Sequence, residues 1–227
     1  MKKSTLFLLV FVQISLVLQL GAQIFPGKAH KETAESNIVA LHNGVLIVPL
    51  FVQNKKIDTM KEMIESPQTD ARSKEKLLTR LEKYLISQDS FNVAIVRHFR
   101  KSFDFSKVLF IEDHQIHGFD PANTIFINPD NFLPDPSIKM ESKDYFFIKY
   151  YKTSGVASDP DSVRFLYLTN KDKTLLDRPF PNSPGRKKSF GMRFLDLLNL
   201  SPDKNDLLNT LVTKLNDNLT RYYKGKV

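Results

Sequence analysis

Glu112, Asp113, His114, His117 and Asp120 crowd the nine positions 112–120, in the run "EDHQIHGFD". Two imidazoles with neighbouring carboxylates are a ligand set for zinc or non-haem iron, and metal-assisted hydrolysis is the chemistry such a set would perform. The metal candidates are therefore Asp113, His114, His117 and Asp120. Their position is favourable, because the apolar run "KVLFI" (107–111) precedes them as a strand, and ligands of α/β proteins gather at strand carboxyl ends. Their spacing is unfavourable. Ligands must converge, and polar residues this close together on one irregular loop splay outward, as the solvated end of a strand does. A second candidate is "PGRKKS" (184–189), where Arg186, Lys187 and Lys188 with the loop's amides would grip phosphate or sulfate. The plainer reading of that run is a solvated basic loop.

Other chemistries lack their residues. The chain has no cysteine, which removes thiol nucleophiles, disulfides and thiolate metal sites. Its eight glycines assemble neither a dinucleotide-binding loop nor a phosphate-binding loop. No G-x-S-x-G or H-E-x-x-H occurs. S-x-x-K occurs at Ser73–Lys76 and Ser201–Lys204 without its S-D-N and K-T-G companions, and Ser201 is better read as a helix cap.

The elements that would position these residues follow from periodicity. Residues 1–22 have a Lys2-Lys3 start, an apolar core from Leu6 to Leu20 and the small pair Gly21-Ala22, the layout of a secretory signal peptide cut before Gln23. Export to the periplasm follows, with a membrane anchor as the alternative if the cut fails, and no transmembrane helix after cleavage. Residues 23–37 read as a flexible polar leader, and 38–227 as a single α/β domain. "GVLIVPLF" (44–51) reads as a buried strand with Pro49 at an edge, bulge or terminus. The stripe Leu77, Leu78, Leu81, Tyr84, Leu85 predicts a helix, and Phe91, Ala94, Ile95, Phe99, Phe103 a second one after a break near Ser87–Ser90. Strand, helices and strand make a parallel pair. "NTIFIN" (123–128), "DYFFIKYY" (144–151) and "SVRFLYLT" (162–169) are further strands, the last two antiparallel. Ser201-Pro202-Asp203 starts a long C-terminal helix with the stripe Leu207, Leu208, Leu211, Val212, Leu215, Leu219. The expected fold is a mixed sheet of about five strands with helices packed on its faces.

The formal charge is +8, and +6 without Lys2 and Lys3. Scattered lysines without an aromatic-rich basic motif argue against nucleic acid, and leave anionic envelope components or another envelope protein as partners. The stretch from "GVLIVPL" to "YFFIKY", centred on "FNVAIVRHFRKSFDFSKVLFIED", resembles a family of exported bacterial proteins of unknown function, as does the end "LNDNLTRYY". That pattern has Tyr, Ser and Asp where this chain has "EDHQIH", and the resemblance implies no established activity. The leading expectation is a non-catalytic envelope-associated binding or accessory protein; the alternative is the metal-assisted hydrolase.

Overall fold

The strand expected at 44–51 forms as β1 (Val45–Leu50), every residue of it buried. The structure, a computed structural model, describes residues 27–52, 54–152, 163–181 and 207–225. In these the chain runs α1 (Lys28–Asn43), β1, α2 (Asn54–Glu65), α3 (Ala71–Ser102), β2 (Lys107–Glu112), a 3-10 turn (Asp113–Ile116), β3 (Phe126–Ile127), β4 (Pro134–Asp135), β5 (Tyr145–Lys152), β6 (Val163–Thr169) and α4 (Leu207–Lys224). The six strands form one mixed sheet in the order β4-β3-β2-β1-β5-β6. The segment 1–22, the Ser201 helix start and the basic loop 184–189 lie outside the described residues.

β1 lies parallel to β2 from Val45↔Lys107 to Leu50↔Glu112, as expected for strands joined by a helical crossover. It also lies parallel to β5, but only over Val45–Ile47. Pro49 therefore stands in a central strand, beyond the last residue paired with β5, where its missing donor breaks no bond on that side. β5 and β6 pair antiparallel with a bulge at Tyr151/Lys152. The expected strand at 123–128 shrinks to two residues, because Asp120 draws the chain into a turn: its carbonyl accepts the amides of Asn123 and Thr124.

The helical break lies elsewhere than expected. α3 is continuous for 32 residues, about 48 Å at 1.5 Å per residue. Its buried positions Leu81, Tyr84, Gln88, Phe91, Ile95 and Phe99 keep one helical stripe straight through Ser87–Ser90. Ser and Asp only weakly disfavour a helix interior, whereas Pro67 ends one. The interruption accordingly falls at 66–70, and Asp70 starts α3 by accepting the Ser73 amide at 3.0 Å. Residues 28–37, expected in a flexible leader, belong to α1, which buries Ala34, Ile38 and Leu41. Glu35, Ser36 and Asn37 between Ala34 and Ile38, with Lys28, Lys31 and Glu32 before them, gave the stretch a polar composition.

The helices share one face of the sheet rather than dividing between both. α1, α3 and α4 bury their stripes with Leu46, Val48, Leu50, Phe110, Phe146, Ile148, Leu166 and Leu168. Val45, Ile47, Leu109, Ile111, Phe126 and Phe147 form a separate cluster on the opposite face, covered by Ile116, Phe119, Ile138, Met140 and Tyr145 of the 113–145 region. α2 packs on α3 through Ile57, Met60, Leu81 and Tyr84. α4 keeps the expected stripe over 18 residues, and its Asn216 accepts the amides of Asp104 and Phe105, fixing the entry to β2.

Candidate functional site

The carboxyl ends of the parallel strands β1, β2 and β5 lie at one margin of the sheet, the side on which α/β proteins commonly bind ligands. The run 112–120 lies at this margin. Glu112 ends β2 and caps the 3-10 turn: it accepts the Gln115 amide, while its own amide donates to Gln115 Oε1 at 3.3 Å. Asp113 turns to the end of β1 and accepts the Val52 amide on Oδ1 at 3.3 Å. His114 leans back on Glu112, Nδ1 to Oε2 3.3 Å, with over half of its side chain in solvent.

The other two candidates go elsewhere. His117 is exposed, and its carbonyl accepts Lys173 Nζ at 3.0 Å. Asp120 closes its own turn, accepting the Ala122 amide at 3.0 Å and Asn123 Nδ2 at 2.6 Å. Asp113, His114, His117 and Asp120 are thus neighbours in sequence whose carboxylates are bonded to different segments. Among the described residues no three His, Asp or Glu side chains form a group that could hold a metal ion. The anion candidates Arg186, Lys187 and Lys188 lie outside the described residues.

The residues that shape this margin are ones the sequence did not single out. The Asn92 amide on α3 pairs with both backbone groups of Phe51, donating to its carbonyl and accepting its N–H, each at 2.9 Å. It continues the ladder where β1 runs out of partners. The Phe51, Phe91 and Tyr150 rings pack together with centroids 5.1 to 6.1 Å apart. The Tyr150 hydroxyl is buried and has no hydrogen-bond partner among the described residues, and burial holds its pKa well above that of an ordinary tyrosine. Gln88 Oε1, one turn before Phe91, is buried and likewise has no partner among the described residues. Tyr84 has its pKa raised, first by burial and then by the negative charge of Asp113, and Lys56 Nζ sits 3.9 Å over its ring. Asn92 and Phe51 are 41 positions apart, so no local spacing rule connects them.

The margin therefore resembles a sealed strand end more than an open pocket: amide, rings and carboxylate are engaged with the backbone and with one another. No protein-family model, curated protein or solved structure matches the chain.

Proposed function

We propose that the chain is exported through its N-terminal segment and serves in the cell envelope as a non-catalytic binding or accessory protein. The observation that supports this reading is the use of the two candidate carboxylates as fold ties. Asp113 bonds the Val52 amide, and Asp120 closes its own turn. A hydrolase holding zinc or iron on Asp113, His114, His117 and Asp120 would have to bring these four side chains together, whereas both Asp120 oxygens are engaged within its own turn. The Lys2-Lys3 start, the apolar core and the Gly21-Ala22 end support export, and no described helix is long and apolar enough to cross a membrane. The basic charge and the resemblance to exported bacterial proteins point the same way.

Two measurements test the reading separately. N-terminal sequencing of protein from the envelope fraction should begin at Gln23 or within two residues of it; retention of Met1 would make the segment an anchor. Thermal melting with zinc should show no shift, and His114→Ala and His117→Ala should each change stability by less than about 0.5 kcal/mol. A metal bound only by the folded state would instead add about 2.7 kcal/mol at a hundredfold excess over Kd. A zinc-dependent rise abolished by the double histidine variant would establish the hydrolase.

A further inference from the structure

On the helix-free face of the sheet, the cover supplied by the 113–145 region reaches β2, β1 and the start of β5. Continuing along β5 and across to β6, the register places Lys149 opposite Tyr167 and Tyr151 opposite Phe165. Partners opposite each other in an antiparallel pair point to the same side, the side of Phe147 and Thr169. The three rings form a connected row, Tyr151 to Phe165 and Phe165 to Tyr167 each 5.9 Å between centroids, with the second pair inclined by only 32°. Tyr151 is 53% exposed, and Leu175, bridged opposite Thr169, is 54% exposed. Phe165 and Tyr167 are half-buried beside them, and contiguous apolar surface of this kind marks interaction sites.

Two cations, Lys149 and Lys173, stand beside this row. Lys149 Nζ donates to the Lys173 carbonyl at 3.1 Å, and Lys173 Nζ to the His117 carbonyl at 3.0 Å. Both ammoniums are anchored by neutral oxygens, and neither is in an ion pair among the described residues. A carbonyl satisfies one donor of an ammonium and leaves its full charge uncompensated. Aromatic rings flanked by cations that form no ion pair among the described residues complement a polymer of rings with apolar C–H faces and regularly spaced anions.

We propose that this face, built from Lys149, Tyr151, Phe165, Tyr167 and Lys173, binds an anionic glycan of the cell envelope. The C–H faces of the sugars pack on the rings, and their carboxylate or phosphate groups sit on Lys149 and Lys173. The assignment to an envelope glycan rests on the export reading; the binding chemistry does not.

The test uses purified protein and three probes: a hexauronate oligosaccharide, a neutral hexose oligosaccharide of equal length, and single-stranded (dT)10. Calorimetry gives Kd, and tyrosine emission reports ring contact directly, since the chain has no tryptophan. The hexauronate should bind, more tightly at low salt, and the neutral oligosaccharide much more weakly. Tyr151→Ala and Lys149→Gln/Lys173→Gln should each weaken hexauronate binding about tenfold, the loss that a single interface anchor brings. Circular dichroism and the melting temperature should be unchanged in Tyr151→Ala, because that ring is mostly in solvent. Absence of hexauronate binding overturns the proposal, as does binding that these substitutions leave intact. Tighter binding of (dT)10 through the same residues also overturns it, in favour of a nucleic-acid face. A signal segment found uncleaved would overturn the export reading while leaving these binding results standing.

Discussion

Asn92 and Tyr150 show how single side chains close the strand ends. Asn92 satisfies a donor and an acceptor of Phe51 from another element, and losing it leaves two half-buried backbone groups without partners. Asn92→Ala should therefore lower unfolding free energy by about 2 kcal/mol, read from the shift in urea midpoint. An unchanged midpoint would mean that water replaces both bonds at no cost. Tyr150 makes the opposite forecast. Its hydroxyl is buried and has no partner among the described residues, so Tyr150→Phe keeps the ring packing and removes a desolvated polar group. Stability should rise by about 1 kcal/mol in the same measurement. A fall would show that the hydroxyl has a partner in solution, a bound ligand or a water. His114 and Asp113 belong to this scale too: one leans on its neighbour's carboxylate, and the other ties the end of β2 to the segment after β1.

Among the elements, the joint between α1 and β1 is the most tightly built. A Cβ placed on Gly44 would stand 2.5 Å from the carbonyl oxygens of both Ala40 and Asp144. Both are backbone atoms, held by the helix and by the bond from the Val45 amide to Asp144 at 3.0 Å, so neither can swing aside. Gly44→Ala should then destabilise the protein by about 3 kcal/mol, the upper end for overpacking. Chemical denaturation checks it, and a loss below about 1 kcal/mol would mean that the joint opens easily. The α2–α3 hairpin is built more loosely. Its cluster of Ile57, Met60, Leu81 and Tyr84 is small, while Met63, Leu78 and Ile86 stay exposed. The carboxyl half of α3, by contrast, buries Phe91, Ile95 and Phe99 completely.

For the molecule as a whole, this contrast sets where opening begins. The large cluster joins three helices to β1, β2, β5 and β6, and the smaller one seals the other face over β1, β2 and β3. Regions with few buried contacts open at lower free energy than the core. Hydrogen exchange should thus label the amides of Asn54–Glu65 and the first four turns of α3 well before those of β1, β2 and β5. Equal protection throughout would show that the hairpin unfolds only with the sheet. On the helix-free face beyond the smaller cluster, Tyr151 is exposed and Phe165 and Tyr167 are half-buried in one row.

Several features follow from local patterning. The α4 stripe, the parallel β1–β2 pair across a helical crossover and the antiparallel β5–β6 pair are each written in residues a few positions apart, because period, turn chemistry and connection length act locally. The continuous apolar run of β1 also reveals that both its faces are covered, though not by what. Tertiary structure decided the rest. α3 runs unbroken through Ser87–Ser90 because α2 covers its stripe at Leu81 and Tyr84 and the main core covers it from Phe91 onward, and packing outweighs a few tenths of a kcal/mol of propensity per residue, about the size of such preferences. α1 forms from residues of leader-like composition because Ala34, Ile38 and Leu41 find a core to enter. The run "EDHQIHG" supplied the residue types for a metal site, yet convergence is a property of three dimensions. There the Val52 amide, 61 positions from Asp113, claims the carboxylate that spacing alone left free.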